Sequence, residues 1–171
     1  MNFTELAKAR YSVRQFSDRP VEPEKLNTVL EAARLAPTAK NLQPFHIYVV
    51  QSAEGMKKMR MLTPCHYDAP VVLIFTKDTQ QEWRHPQLPD VVSGVEDVSI
   101  AATHAMFAAS EQGLGTCWLN FFSPDEVSSA YNLPKNEVPV VLLPLGYATE
   151  SCVPADRHTL RKQLTELVSY L

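Results

Sequence analysis

Residues 95–115 read VEDVSIAATHAMFAASEQGLG, and this stretch decides the fold class. Small and apolar residues almost encircle the predicted helix, which is typical of a helix buried at the centre of a domain. Gly113 and Gly115 are expected to end it. TCWLNF, residues 116–121, follows at once and predicts a strand. A long buried helix favours a sheet packed on helices over a simple doubly wound fold.

Strand and helix patterns alternate through the rest of the chain. Continuous apolar stretches predict strands at 45–52, 70–76 and 138–148. Helical spacing predicts helices at 2–9, 21–36, 54–62, 123–133 and 160–171. Pro23 suits the first turn of its helix, and Ser123 suits an N-cap. These elements predict an α/β or α+β protein built around a mainly buried sheet.

The composition excludes several classes of protein. The 171 residues fit a single domain, 1–171, and the net charge of −3 argues against a general nucleic-acid binder. Cys65, Cys117 and Cys152 show no CxxC spacing, so we expect small buried thiols rather than disulfides or a zinc or other metal site. We see neither a signal peptide nor an apolar run that would span a membrane, and we expect a cytoplasmic protein.

The stretch ARYSVRQF, residues 9–16, carries an unusual density of cationic and hydroxyl donors. Arg10, Ser12 and Arg14 alternate, so an extended backbone would point all three side chains to one face. Guanidinium and hydroxyl groups on one face form the donor set that binds a phosphate. The alternative interpretation is a basic turn exposed to solvent.

Three further stretches carry candidate binding groups. The loop PTAKNLQP, 37–44, offers the Thr38 hydroxyl and the Asn41 and Gln43 amides, which suit the edge of a heterocycle, or it is an ordinary turn. GTCWLNFF, 115–122, could cover a flat ring or simply pack in the core. RHTLRK, 157–162, could supply a second cationic arm. Residues 77–90 predict a loop or lid.

Recognisable catalytic motifs are absent from the sequence. It has no HExxH, GxSxG, GxxxxGK[ST] or GxGxxG, and its five histidines are scattered. His104, on the long helix, suits a satisfied core or edge position. Donor-rich loops without an acid–base group indicate a protein that binds and orients a cofactor, which then performs the chemistry.

Three stretches, in order, resemble the nitroreductase family of FMN-dependent NAD(P)H oxidoreductases. They are RYSVRQFSDRPVEPEKLNTVLEAARLAPTAKNLQPFHIYVV (10–50), SIAATHAMFAASEQGLGTCWLNFFSPDEV (99–127), and LLPLGYATE (142–150) followed by LRKQLTELV (160–168). The resemblance implies an α+β fold with a central, mainly antiparallel sheet flanked by helices. It also implies an intertwined homodimer with FMN at the subunit interface.

The resemblance also implies the cofactor-binding residues. An Arg-x-Ser-x-basic motif that binds the FMN phosphate and ribityl chain matches Arg10, Ser12 and Arg14, with Tyr11 between them. A loop from the other subunit, along the isoalloxazine ring, matches Pro37, Thr38, Ala39, Asn41 and Gln43. The segment at the reactive edge of the flavin matches Trp118, Leu119 and Asn120. A closing arginine on the phosphate matches Arg161, and Arg157 is close enough in sequence to take that role.

The implied activity is a ping-pong hydride transfer through flavin N5. NADH or NADPH would reduce the flavin, and a nitroaromatic, quinone or related small molecule would reoxidise it. Alternatives are a reductive dehalogenase of the same superfamily, a non-catalytic flavin-binding protein, and an interaction module that binds another phosphate.

Overall fold

A computed structural model describes residues 2–171, and six α-helices surround one four-stranded sheet within them. The helices are Phe3–Ala9 (α1), Pro23–Arg34 (α2), Ala53–Leu62 (α3), Gly94–Glu111 (α4), Pro124–Tyr131 (α5) and Leu164–Leu167 (α6). The strands are Phe45–Val50 (β1), Val71–Asp78 (β2), Gly115–Thr116 (β3) and Glu137–Gly146 (β4). Three 3-10 turns lie at Ala39–Asn41, Pro64–His66 and Asp156–Thr159. The α+β class is confirmed.

The sheet has the order β1-β2-β4-β3, and every neighbouring pair is antiparallel. Leu73 and Phe75 of β2 belong to the core that includes α2 and α4. Val72 and Ile74 belong to a second core on the opposite face, with α3 and α5. Because helices cover both faces, β2 is apolar at successive positions rather than at alternate ones.

Helix α4 is the central helix on one face of the sheet. Ala101, Ala102 and Ala105 are fully buried, and their small side chains let α2 pack closely against α4. The opposite side of α4 is exposed, with Val95 at 51% and Ile100 at 37%, so the predicted burial holds for one side only. None of the helices in residues 2–171 is long and apolar enough to span a membrane.

The predicted strand at 116–121 is wrong in length. Strand β3 contains only Gly115 and Thr116, and pairing resumes as a single bridge between Leu119 and Leu142. Pro144 of β4 lies between the two paired stretches, where its carbonyl accepts from the Cys117 N–H at 3.3 Å. Because proline has no N–H to donate, the ladder cannot run continuously past this position.

The predicted helix at 160–171 is also too long. The structure forms a single turn, α6, and every residue from 159 to 171 is exposed. Leu160, Leu164 and Leu167 are each more than 60% exposed. A short helix with no core to pack against is marginal in water, so its apolar side chains do not stabilise it within this chain.

The predicted loop or lid at 77–90 is anchored rather than loose. Strand β2 continues to Asp78, and a bridge pairs Arg84 with Val92. The Glu82 side chain is only 2% exposed and accepts from Lys77 Nζ at 3.1 Å and from an Arg84 guanidinium nitrogen at 3.0 Å. A buried carboxylate with two cationic donors fixes this segment beside the start of α4.

Candidate functional site

The segment after α1 is held in the core by its middle residue. Val13 is buried, and its N–H donates to the Thr116 carbonyl at 2.9 Å. Gly115 allows this approach, since a Cβ built on it would lie 2.4 Å from Val13 Cγ2. The two neighbours of Val13, Ser12 and Arg14, lie on the other side of this segment, as the alternating pattern predicts, and both line a cavity there.

A small cavity of about 80 Å³ lies at this segment. All but one of its lining residues are polar, and three of them are arginines; the lining is Arg10, Tyr11, Ser12, Arg14, Ala155, Arg157 and His158. Within residues 2–171, none of the three arginines forms an ion pair with a carboxylate. Three guanidinium groups and a hydroxyl around one small cavity form a site for a multiply charged anion.

Arg10 gives the clearest indication that an anion belongs in this cavity. Its Nε is buried and finds no hydrogen-bond partner among the described residues. Burial lowers the pKa of Arg10, and the charge of nearby Arg161 lowers it further. A buried donor without a partner is unfavourable, and a negative charge in the cavity that Arg10 lines would favour the guanidinium cation.

The two candidate arginines near the end of the chain differ in position. Arg157 lines the cavity, whereas Arg161 donates to the carbonyls of His158 and Leu160 at 2.6 and 2.7 Å. Arg161 nevertheless lies close enough to lower the pKa of Arg10. Arg157 therefore lines the same cavity as the clamp formed by Arg10, Ser12 and Arg14, whereas Arg161 lies near Arg10 without lining it.

The sequence analysis did not predict the contacts that hold the cavity together, or the part that Lys8, Cys117 and Cys152 take in them. His158 Nε2 lies 3.0 Å from the Lys8 carbonyl, and the Tyr11 hydroxyl donates to the Cys152 carbonyl at 3.1 Å, so the 152–158 segment is tied to the end of α1 and the residues after it. Cys117 lies nearby; burial raises the pKa of its thiol, and the charge of Arg14 acts in the opposite direction. No local pattern reveals these contacts, because they join residues far apart in sequence.

The 37–44 loop has an unusual backbone. Lys40, Asn41 and Gln43 have φ angles of 51°, 55° and 51°, in the left-handed region that non-glycine residues rarely adopt. The Gln43 N–H donates to Thr38 Oγ1 at 2.9 Å, and the Asn41 N–H donates to the Thr38 carbonyl at 2.9 Å. Strain of this kind costs about 1–3 kcal/mol per residue and is common at binding sites.

This loop presents its polar side chains to solvent. Asn41 and Gln43 are both exposed, and Gln43 Nε2 donates to the Asn41 carbonyl at 3.3 Å. Among the described residues, the side-chain amide of Asn41 makes no hydrogen bond within the protein. Exposed amides on a backbone fixed in a strained conformation are suited to contact a bound ring.

The third predicted stretch, Trp118–Leu119–Asn120, is divided between the core and the surface. Leu119 is buried, and its N–H donates to the Leu142 carbonyl at 3.0 Å, so this amide is not free for a ligand. Trp118 Nε1 donates to Asn120 Oδ1 at 3.1 Å, and Asn120 is exposed. Asn120 and Trp118 therefore remain the candidates in this stretch.

Within one chain, the 37–44 loop and the clamp lie far apart. The Ala39 N–H donates to Asp97, near the start of α4, whereas the clamp packs on Gly115 and Thr116, just after α4 ends. A helix of 18 residues is about 27 Å long. The two groups of candidate residues therefore lie near opposite ends of α4.

The contact between Gly115 and Val13 can be tested directly. Gly115→Ala would push Val13 outward and displace Ser12 and Arg14, so we expect a loss of about 1–3 kcal/mol in the free energy of unfolding and weaker binding of FMN. Gly113→Ala is the matched control, since open space surrounds Gly113 but its φ of +74° disfavours alanine. Urea unfolding and FMN titration should show lost stability in both variants and lost FMN binding only in Gly115→Ala.

Comparison with known proteins identifies the family. The sequence profile of the nitroreductase family matches residues 7–64 and 61–147. The chain belongs to the nitroreductase family. It is 31% identical over 172 residues to the FMN reductase (NAD(P)H) of Bacillus subtilis strain 168, covering 91% of this chain and 67% of that protein.

Solved structures confirm the nitroreductase fold. A nitroreductase family protein from Clostridium difficile 630 superposes with a TM-score of 0.93 at 40% identity, covering 99% of this chain and 98% of that one. A nitroreductase-like protein from Exiguobacterium sibiricum 255-15, in complex with FMN, has a TM-score of 0.85 at 20% identity, with coverage of 100% and 98%. At that identity, the second likeness supports the fold.

Proposed function

We propose that this nitroreductase binds FMN and is an NAD(P)H-dependent flavin oxidoreductase. The observation that carries the proposal is the cationic cavity lined by Arg10, whose buried Nε has no hydrogen-bond partner among the described residues. FMN carries a dianionic phosphate that supplies the missing acceptors. The related FMN reductase of Bacillus subtilis supports the choice of ligand.

Different residues of the chain bind the phosphate and the ring system of FMN. Arg10 and Arg14, with Arg157 or Arg161, hold the phosphate through charge-assisted hydrogen bonds of about 1.5–3 kcal/mol each. The side-chain amides of Asn41 and Gln43 contact the flavin ring system. Hydrogen-bond donors near the pyrimidine edge of the flavin influence its redox potential. FMN, when bound, supplies the two-electron hydride chemistry, and solvent can supply protons.

We also propose that the active form is a homodimer in which each site takes its clamp from one subunit and its 37–44 loop from the other. The distance of about 27 Å along α4 supports this arrangement. Exposed apolar residues on α4, including Val95 and Ile100, and the exposed leucines of residues 160–171 offer surface for a second copy. A nitroaromatic, a quinone or a related small molecule is the proposed electron acceptor.

The visible spectrum of the purified protein tests the proposal. We expect a yellow protein whose flavin absorbance bleaches under anaerobic conditions on addition of NADH or NADPH. A yellow protein that neither nucleotide bleaches would indicate a non-catalytic flavin-binding protein. A protein that stays colourless after incubation with FMN would contradict the phosphate clamp.

A further inference from the structure

The buried carboxylate of Asp97 joins the 37–44 loop to helix α4. Asp97 is 2% exposed, and its two oxygens have different donors. Oδ1 accepts from the Ala39 N–H at 2.8 Å, and Oδ2 accepts from the Ser93 hydroxyl at 2.6 Å. We propose that Asp97 is a positioning residue that sets the conformation of the loop, and through it the orientation of Asn41 and Gln43 toward the flavin. This inference rests on the proposed function.

The loop needs an anchor because its internal hydrogen bonds do not fix it to the domain. The hydrogen bonds that the backbone N–H groups of Asn41 and Gln43 donate to Thr38 stay within the loop. At its end, the Pro44 carbonyl accepts from the Asp78 N–H at 2.9 Å. At its start, the bond from Ala39 to Asp97 provides the corresponding attachment. With both ends held, the left-handed residues between them have little freedom to relax.

The start of α4 is arranged around this contact. Ser93 occupies the N-cap position, but its side chain does not cap the helix. Its hydroxyl donates to Asp97 instead, and the Asp97 N–H donates to the Ser93 carbonyl at 2.9 Å. A serine at this position usually accepts from the first-turn amides. Its use as a donor to Asp97 fixes the carboxylate rotamer that faces Ala39.

The charge of Asp97 strengthens the anchor. A carboxylate near a helix N-terminus is stabilised by the helix dipole, and a charged acceptor makes a stronger hydrogen bond to an amide than a neutral one. A buried charge is tolerated only where donors satisfy it, and the Ala39 amide is one of the two donors here. Removing the carboxylate therefore releases the loop, whereas a neutral isostere retains an oxygen for Ala39.

The test compares Asp97→Ala, Asp97→Asn and the matched control Glu96→Ala. Glu96 is exposed and lies in the first turn of α4, so its loss removes a similar charge without touching the loop. In the apoprotein of Asp97→Ala, we expect amide hydrogen exchange across 38–43 to accelerate at least tenfold. Asp97→Asn keeps an oxygen for the Ala39 N–H but loses the charge, so its acceleration should be clearly smaller than that of Asp97→Ala. Glu96→Ala should exchange as the unaltered protein does.

The FMN-loaded protein provides the second measurement. For Asp97→Ala we expect the flavin midpoint potential to move toward that of free FMN. A tenfold change in the ratio of the affinities for reduced and oxidised FMN corresponds to about 30 mV for a two-electron couple. The affinity for oxidised FMN should change much less, because the phosphate clamp is intact. If Asp97→Ala does not fold, Ser93→Ala takes its place, with smaller shifts in the same direction.

Unchanged exchange and an unchanged potential in Asp97→Ala, or in Ser93→Ala where that variant replaces it, would overturn the inference. Equal effects in Glu96→Ala would also overturn it, because the effect would then belong to the charge at the helix start. If the unaltered protein fails to bind FMN, the proposed function fails. The exchange measurement on the apoprotein still separates that outcome from a failure of the anchor.

Discussion

Replacing Arg10 with methionine is expected to weaken FMN binding by about 10- to 150-fold, since a charge-assisted hydrogen bond contributes about 1.5–3 kcal/mol. The same change should leave the apoprotein as stable as before, or more stable. Arg10 Nε is buried and has no hydrogen-bond partner in residues 2–171, and both burial and the charge of Arg161 disfavour the guanidinium cation. Methionine fills similar space and requires no acceptor.

Two ligands separate the phosphate contribution from the rest of the site. Riboflavin lacks the phosphate, so Arg10→Met should bind it about as well as the unaltered protein does. Arg34→Met is the matched control, because Arg34 is exposed on α2 and pairs with Glu31. Fluorescence titration gives the affinities, and urea unfolding gives the stability of the apoprotein. Equal losses for FMN and riboflavin, or a clearly less stable apoprotein, would contradict the clamp.

The sequence predicted that Arg10, Ser12 and Arg14 lie together, because that information is local. Alternation of Arg10, Ser12 and Arg14 along an extended segment places them around one cavity, and the structure shows this. The long helix was likewise predictable from its own residues, and Gly113 ends it with a φ of +74° and a bond of 2.8 Å from the Leu114 N–H to the Ala109 carbonyl.

The remaining features depend on contacts between distant residues. The short β3 results from Pro144, on a strand more than twenty residues further along the chain. Asp97 lies 58 residues from Ala39, and an aspartate in the fourth position of a helix is otherwise unremarkable in a sequence. Residues 160–171 do have a helical pattern, but a pattern alone does not stabilise a helix whose side chains stay exposed.

Mixing two inactive variants is expected to restore activity if each site is shared between subunits. Arg10→Ala/Arg14→Ala removes the clamp, and Asn41→Gly/Gln43→Gly removes the loop amides. Glycine is chosen because it tolerates the left-handed backbone at these two positions. Hybrid dimers would contain one site with both lesions and one site with neither. Random pairing then gives roughly a quarter of the original activity.

Recovery of activity distinguishes a site shared between subunits from a site formed within one chain. If one chain formed a complete site, every site in the mixture would carry a lesion, and activity would not exceed that of the separate variants. Mixing Arg10→Ala with Arg14→Ala is the control, because both lesions affect the clamp and no hybrid contains an intact one. Co-expression, purification with two different tags and an anaerobic NAD(P)H assay measure the recovery. Recovery in the first mixture alone requires the clamp of one chain to meet the loop of another, as the distance of about 27 Å along α4 implies.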